Sequence, residues 1–290
     1  MISRRDFTIG TCAALAAGTS ECAFAFPDSL SGTFARIEAE SGGRLGVAAL
    51  DTSNGNRAGH RMDERFAMCS TFKLLASAAV LARVDAGKER LDRRVAYAKS
   101  DLVTYSPITE KHVGDGMTLS ELCEAAITLS DNTAANLLLA SLGGPQGVTD
   151  FARSLGDTMT RLDRIETALN EATPGDPRDT TTPAAMLANI RALVLGDALS
   201  PPSRDQLKAW LLANKTGGGR LRAGLPGDWA IGDKTGSGDY GTTNDVGVVW
   251  PPGRAPLVVT IYFTETKAAL EQRIAVLASV GRAIAQAFNS

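Results

Sequence analysis

Hydrophobic and polar residues divide the chain into strand-like ends and a helix-like middle. Near the start, the apolar segment 45–50, which a polar turn follows, predicts a buried strand that leads into a hairpin. Near the end, segments 229–235, 246–250 and 257–263 are separated by Gly- or Pro-rich turns and predict three more strands. Between 66 and 212 such strand signals are missing, and the Ala- and Leu-rich sequence predicts helices.

Helix signals support this division. Residues 34–41 resemble the end of a short helix, and residues 267–288 have the amphipathic pattern of a longer terminal helix. Thr118 and Thr182 stand where hydroxyl side chains cap the first turn of a helix, and a proline follows Thr182, which favours a first helical position. The middle of the chain is therefore predicted to be a helical insert.

This order of elements predicts an α/β fold of the α+β type. We expect one antiparallel sheet that is built from both chain ends, is covered by the terminal helices and packs against an all-helical lobe. Residues 26–65 and 213–290 would form the α/β sheet domain, and residues 66–212 the all-helical domain. The cleft between the two is the expected active site.

The first 25 residues have the features of an export signal. Arg4 and Arg5 precede a mildly apolar segment, and small residues around Ala25 favour cleavage after it. The arginine pair resembles a twin-arginine signal, although an ordinary secretory signal fits as well. No other segment has the ~20 unbroken apolar residues of a membrane span, so we expect a periplasmic or secreted protein without one.

Composition excludes several classes of function. Thirty Lys and Arg residues against 32 Asp and Glu residues give a formal net charge of −2, without a basic stripe that would bind nucleic acid. The mature chain keeps Cys69 and Cys123, which fit no metal-ligand spacing, and the whole chain has two histidines. We therefore expect no metal, no cofactor and no His-based catalytic triad.

One local pattern predicts a nucleophile. The segment 74–82 is apolar on nearly every helical face, which predicts a central buried helix. Lys73 precedes it, and Ser70, three residues earlier, shares its face at the helix N-terminus. Burial can lower the pKa of an amine so that it acts as a base, and the helix terminus favours an oxyanion there. A capping serine beside a surface lysine would have the same spacing.

Two further triplets favour the catalytic interpretation. Ser130–Asn132 lies within the predicted helical lobe, and Lys234–Gly236 ends the strand predicted from residue 229, in the order that S-x-x-K enzymes use. A second K-T-G, Lys215–Gly217, is followed by two glycines and is predicted to lie in a turn. We therefore assign the role to Lys234, since its triplet has the strand-and-hairpin context that the motif requires.

With these motifs the sequence resembles the penicillin-recognising serine enzymes, and specifically the class A β-lactamases, from about residue 31 to the C-terminus. Residues 164–179 resemble the omega loop of that family, in which Arg164 pairs with Asp179 across the neck. Glu166 and Asn170 would hold a water there. The resemblance implies hydrolysis of penicillins and cephalosporins, and with it β-lactam resistance.

The resemblance also implies catalytic roles. Ser70 would be the nucleophile, and either Lys73 or a water bound to Glu166 would remove its proton; the sequence leaves both open. Ser130 would pass a proton to the departing ring nitrogen. The main-chain amides of Ser70 and Ser237 would form the oxyanion hole.

A small β-lactam is the expected partner of what we expect to be a monomer. Asn132 would orient the acylamide, Lys234 would attract the substrate carboxylate, and Tyr105 would lie at the cleft mouth. The expected substrate-binding residues are Tyr105, Asn132, Asn170, Thr216, Arg220, Lys234, Thr235, Gly236 and Ser237.

The chain departs from the common family pattern at the carboxylate site. Many members have an arginine on the strand after the K-T-G hairpin, where this chain has Thr243. Arg220 resembles an alternative arginine that some members bring from a neighbouring segment. Its planar guanidinium would suit a carboxylate.

The cysteines depart from it too. Relatives that hydrolyse carbapenems pair Cys69 with a cysteine where this chain has Gly238, and many relatives pair Cys123 with a cysteine where it has Ser77. We therefore expect two free thiols, and penicillins and early cephalosporins as the first substrates.

Two other functions share the three motifs. A penicillin-binding carboxypeptidase or transpeptidase transfers cell-wall peptides, and a penicillin-sensing receptor domain keeps its acyl adduct. The loop with Glu166 and Asn170 favours the hydrolase, and a sensor would normally need a membrane anchor.

Overall fold

The computed structural model describes residues 28–289 of the protein. Within this range the eight α-helices are α1 (Asp28–Ser41), α2 (Phe72–Asp85), α3 (Leu119–Thr128), α4 (Asn132–Ser141), α5 (Pro145–Ser154), α6 (Pro183–Ile190), α7 (Pro201–Leu212) and α8 (Leu270–Asn289). The nine strands described are β1 (Arg44–Asp51), β2 (Arg57–His60), β3 (Phe66–Ala67), β4 (Arg94–Val95), β5 (Met117–Thr118), β6 (Thr180–Thr181), β7 (Ala230–Ser237), β8 (Thr243–Trp250) and β9 (Leu257–Thr264). The predicted signal, residues 1–25, lies outside the described residues.

Both ends of the described chain contribute to one antiparallel sheet, as predicted. Its strand order is β2-β1-β9-β8-β7, and β1 pairs with β9 over the full length of both, for example Val47 with Ile261. This pairing joins the two segments that the helical lobe separates in sequence. The predicted fold class is confirmed, whereas the domain boundaries remain a prediction.

Strand β9 separates two hydrophobic cores. Because side chains alternate along a strand, Val258 and Tyr262 pack with the helical lobe, whereas Val259 and Ile261 pack with α1 and α8 on the other face. Every residue of β9 is buried. The sheet is therefore a layer between the terminal helices and the lobe.

Helix α2 is the central element of the lobe. Ten consecutive residues, from Phe72 to Leu81, are buried, and α3, α4, α5 and α7 pack around the helix. The apolar segment 74–82 thus lies in a central helix, as its sequence predicted. Thr118 and Thr182 also cap helices as predicted, since each hydroxyl accepts the N–H three residues later.

A hydropathy pattern misses two features of the fold. Strand β8 begins at Thr243 and not near residue 246, because Thr243, Asn244 and Asp245 are all fully buried within the sheet. The lobe also contains two antiparallel pairs, β3 with β6 and β4 with β5, whose two-residue strands are too short to show alternation.

Both cysteines of the described chain are free and buried. Burial raises the pKa of Cys69 and raises that of Cys123 to about 12. We predict that the folded mature protein reacts slowly with a thiol reagent at neutral pH, and that denatured, unreduced protein exposes two thiols. Finding fewer than two in the monomer would contradict this.

Ser77 supplies the matched control, since it contacts Cys123. The Ser77→Cys variant places two sulfurs side by side in the core. It should form a disulfide on oxidation and leave one titratable thiol, that of Cys69.

Candidate active site

Ser70 lies in a tight turn between β3 and α2. The turn is a short 3-10 helix, Cys69–Thr71, and Cys69 has a φ of 45°, a left-handed conformation that is uncommon outside glycine. Ser70 is buried, and its Oγ donates a hydrogen bond to Glu166 Oε1 at 3.1 Å. A buried hydroxyl that faces a carboxylate from a strained turn fits a nucleophile.

Lys73 lies one turn further along the same face. Its fully buried Nζ is 2.6 Å from Asn132 Oδ1 and 2.8 Å from the carbonyl of Ser130. It is also 3.0 Å from Glu166 Oε1, the oxygen that Ser70 contacts. Burial lowers the pKa of Lys73, and the carboxylate of Glu166 opposes that shift. Ser70 Oγ and Lys73 Nζ therefore meet at one carboxylate oxygen, that of Glu166.

Ser130 lies between two buried amines. Its Oγ accepts hydrogen bonds from Lys73 Nζ at 3.3 Å and Lys234 Nζ at 3.1 Å. Burial, together with the positive charges of Lys73 and Arg220, holds the pKa of Lys234 well below its usual range. Because both contacts use the lone pairs of Ser130, its own proton is left to be donated.

Asp131 fixes the loop that carries Ser130. Its carboxylate caps α4 and accepts the N–H groups of Ile108 at 3.0 Å and Thr109 at 2.9 Å. The next residue, Asn132, donates its own N–H to the carbonyl of Tyr105 at 3.0 Å. The side chain of Tyr105 is 56% exposed, as expected for a residue at the cleft mouth.

The neck of the loop 164–179 is closed by an ion pair. Arg164 Nε lies 2.6 Å from Asp179 Oδ2, and Asp179 Oδ1 accepts the N–H groups of Asp163 and Arg164 at 2.7 and 2.9 Å. Asp179 is fully buried. The pairing predicted for the neck is present, and it fixes the loop on which Glu166 lies.

Inside the neck, Glu166 is held at its side chain and its backbone. Asn170 Nδ2 donates to Glu166 Oε2 at 2.5 Å, while Asn170 Oδ1 is buried and accepts no hydrogen bond from the residues that the structure describes. Asn136 on α4 accepts the N–H of Glu166 at 2.8 Å and donates to its carbonyl at 2.9 Å. The carboxylate is therefore positioned from the helical lobe.

Strand β7 brings the K-T-G triplet to the same place. Lys234 reaches Ser130, whereas Lys215 of the second K-T-G is exposed, so the structure favours the assignment to Lys234. Thr235 Oγ1 lies 2.5 Å from Thr216 Oγ1. Since β7 is an edge strand of the five-stranded sheet, its outer side has no strand partner there.

Arg220 lies across the ends of β7 and β8. Its Nη1 donates to the carbonyls of Gly236 at 2.7 Å and Asn244 at 2.5 Å, and its Nη2 donates to Ser237 Oγ at 2.8 Å. Burial lowers the pKa of this guanidinium. The arginine is thus beside Ser237, as the carboxylate hypothesis requires.

Sequence reasoning missed several residues at the site. Arg273 on α8 extends Nη1 to Thr243 Oγ1 at 3.5 Å, and its charge acts on Arg220. Asn136 and Asn244 bind main-chain atoms of the site segments. The position of Asn136 four residues after Asn132 on α4 was a usable signal for it; Arg273 had none, because the fold alone brings α8 to β8.

Groups of three or more His, Cys, Asp or Glu side chains able to hold a metal ion do not occur among residues 28–289. None of the helices described in that range is long and apolar enough to cross a membrane.

Known proteins resemble this chain along its length. The sequence profile of the Beta-lactamase enzyme family matches residues 29–288. Beta-lactamase AST-1 of Nocardia asteroides is 56% identical, over 88% of this chain and 83% of that protein. Beta-lactamase CTX-M-8 of Citrobacter amalonaticus is 51% identical, over 99% of this chain and 98% of that protein.

A solved structure also superimposes closely. The ancestral (GNCA) class A β-lactamase is 69% identical and matches with a TM-score of 0.89, over 89% of this chain and all of that chain.

We predict that Asn136→Ala destabilises the protein. The variant leaves the N–H and the carbonyl of Glu166 without their partners, and an unsatisfied buried group costs about 1–3 kcal/mol. Urea unfolding should therefore give a free energy of unfolding that is lower by about that amount. Gln146→Ala, which removes an exposed amide from α5, is the control and should change little. Equal unfolding curves for the two variants would contradict the prediction.

Proposed function

Because the chain belongs to the class A β-lactamase family, we propose that Ser70 forms an acyl-enzyme and that a water activated by Glu166 hydrolyses it. The protein is a serine hydrolase that opens β-lactam rings and so confers resistance. The observation that carries this mechanism is the convergence of Ser70 Oγ and Lys73 Nζ on Glu166 Oε1, at 3.1 and 3.0 Å.

Acylation begins with loss of the Ser70 proton. Oγ then bonds to the β-lactam carbonyl carbon, and the main-chain amides of Ser70 and Ser237 stabilise the oxyanion. Lys73, with its lowered pKa, and Glu166, acting directly or through a water, are the two candidate bases. Glu166 contacts Ser70 Oγ, and Lys73 contacts both Glu166 and Ser130 Oγ. Kinetic measurements must therefore decide between the two bases.

Ring opening needs a proton on the departing nitrogen. The C–N bond breaks as Ser130 donates its hydroxyl proton to that nitrogen, and a proton from Lys73 or Lys234 replaces it. The position of Ser130 Oγ, 3.3 Å from one amine and 3.1 Å from the other, supports this relay. The lowered pKa of each lysine makes the proton easier to give up.

Deacylation would use Glu166 and Asn170 of the omega loop. A water held by Glu166 and Asn170 would lose a proton to the carboxylate and attack the ester carbon. The bond from that carbon to Ser70 Oγ then breaks, and the proton passes from Glu166 to Oγ as the opened product leaves. The buried Asn170 Oδ1 supports this placement of the water, since it accepts no hydrogen bond from the described residues and needs a donor.

Substrate recognition is divided between the two lobes. From the helical lobe, Asn132 would bind the acylamide and Tyr105 would cover the ring at the cleft mouth. From the sheet, the carboxylate would meet a surface of hydroxyl and cationic groups. The groups proposed for it are Thr216, Arg220, Lys234, Thr235 and Ser237, with Gly236 leaving space beside them.

In a penicillin-binding peptidase or a sensor domain, a β-lactam would acylate the same serine, but the acyl group would not be released. A chromogenic cephalosporin separates these functions. Steady turnover supports the hydrolase, whereas a burst of one equivalent that then stops supports the other two. We also propose that the protein acts as an exported monomer, which size-exclusion chromatography and cell fractionation test.

We predict that Glu166→Ala traps the acyl-enzyme. If Lys73 can still deprotonate Ser70, loss of the carboxylate slows deacylation far more than acylation. Mass spectrometry after mixing with benzylpenicillin should find one penicilloyl group on the variant and none persisting on the wild type. Undiminished turnover with no adduct would remove Glu166 from the mechanism.

We predict that Arg220→Ala lowers kcat/KM for penicillins by about tenfold or more, the scale of a lost charge-assisted hydrogen bond. Arg273 lies close enough to compensate in part, so the double variant Arg220→Ala/Arg273→Ala should lose more than Arg220→Ala alone. An unchanged kcat/KM in the double variant would leave recognition of the carboxylate to Lys234, Thr235 and Ser237.

A further inference from the structure

Asn244 is a fully buried amide that the mechanism above does not use. It lies on β8 directly opposite Gly236 of β7. Its Nδ2 leaves the sheet and donates to two successive carbonyls, those of Ala67 at 2.9 Å and Met68 at 3.1 Å. The side chain therefore connects β8 to the segment that leads into Ser70.

That segment is also held by the pairing of β3 with β6 and by hydrogen bonds at Met68. The N–H of Met68 donates to the carbonyl of Asp179 at 2.9 Å, and the carbonyl of Met68 also accepts from Thr71 Oγ1 at 2.9 Å. The next residue is Cys69, with its left-handed φ, and the N–H of Ser70 follows. The direction of that N–H thus depends on where the carbonyls of Ala67 and Met68 are fixed.

The glycine of the K-T-G triplet makes this contact possible. A Cβ at Gly236 would lie 2.8 Å from the Met68 carbonyl oxygen and 3.3 Å from Asn244 Nδ2. Only a residue without a side chain lets the two segments approach so closely. The carbonyls of Gly236 and Asn244 are in turn both bound by Arg220, so this end of the two strands is fixed on both sides.

We propose that Asn244 is a positioning residue that sets the distance between the two halves of the oxyanion hole, the N–H of Ser70 and the N–H of Ser237. This rests on the proposed function, in which both amides bind the developing oxyanion. Such donors act only when they are aimed at the transition state in advance. Asn244 is the side chain that connects the Ser70 segment to the strand pair that carries Ser237.

The chemistry of the side chain supports a donor role. Asn244 Oδ1 is buried and has no hydrogen-bond partner in the structure. Its Nδ2 makes both side-chain contacts, so the side chain contributes to the structure as a hydrogen-bond donor. An aspartate here would direct carboxylate oxygens at two carbonyls, and an alanine would leave those carbonyls without this donor.

The experiment compares Asn244→Ala, Asn244→Ser and Gly236→Ala with the wild type. For each we would measure kcat and KM for benzylpenicillin and the inhibition constant of phenylboronic acid. The boronic acid bonds to Ser70 Oγ and becomes tetrahedral, so one of its oxygens occupies the oxyanion hole. Wild-type protein that fails to bind it would count against the proposed function itself.

We expect Asn244→Ala to lower kcat by about tenfold to a hundredfold with a smaller change in KM, since a misaligned oxyanion donor acts on the transition state. Its affinity for the boronic acid should fall by a similar factor. Gly236→Ala should weaken boronic acid binding too, because its methyl group pushes the halves apart. Asn244→Ser, which keeps one donor, should recover part of the loss.

Asn189→Ala is the matched control. Asn189 is a buried amide on α6 whose Nδ2 donates to Asp157 Oδ2 at 2.7 Å, outside the site. Its loss should lower the melting temperature and leave kcat and boronic acid affinity unchanged. If Asn244→Ala behaves like this control, its role is only structural and the proposal is wrong.

Asn244→Asp adds a test that depends on pH. Only the protonated acid has a proton to donate to the carbonyl of Ala67 or Met68, so the ratio of variant to wild-type kcat/KM should rise as the pH falls from about 8 to about 5. A ratio that falls with the pH would overturn the proposal. Stability alone would not produce this dependence if both proteins remain folded by circular dichroism across the range.

Discussion

The structure of the site depends on two ammonium groups that are buried around one hydroxyl. Lys73 and Lys234 both have fully buried side chains, and both donate to Ser130 Oγ. Removing an ion from water costs several kcal/mol, and a like charge nearby adds to it. Glu166 is the carboxylate in direct contact with Lys73, so the loop that carries it must stay in place. The Arg164–Asp179 ion pair, which closes the neck of that loop, therefore also helps to hold the charge that offsets Lys73.

A second set of charges lies behind β7. Asp233 and Asp245 are both fully buried. Asp233 also accepts from Arg222, whereas Asp245 accepts only the N–H of Leu221. Burial and the charge of Asp233 hold the pKa of Asp245 well above its usual range. The same charge of Asp233 opposes the lowering of the Lys234 pKa.

The sequence was most informative where a physical requirement acts over a short distance. Apolar segments between turn signals predicted the strands, and the spacing of Ser70 and Lys73 on an apolar helix predicted that the two share one face. Residues 243–245 were not predicted as strand, because their side chains are polar although all three residues are buried in the sheet. Asn136 and Arg273 were missed because their contacts are distant in sequence: the first binds a main-chain peptide thirty residues away, and the second reaches β8 from the last helix. Contacts of this kind depend on the completed fold.

The same completed fold connects the two halves of the reaction. The carbonyl of Asn170 accepts the N–H of Asp239 at 2.9 Å, while its side chain donates to Glu166. A Cβ at Gly238 would lie 2.6 Å from that carbonyl and 2.7 Å from Cys69 Sγ. The hairpin after the K-T-G triplet, the omega loop and the residue before the nucleophile are therefore in contact at one point. A side chain at Gly238 that widened the cleft for a bulkier acyl group would have to move Asn170, and Asn170 would then move the carboxylate that deacylation requires. A substitution at Gly238 would therefore reach the Glu166 carboxylate through the main chain and then the side chain of Asn170.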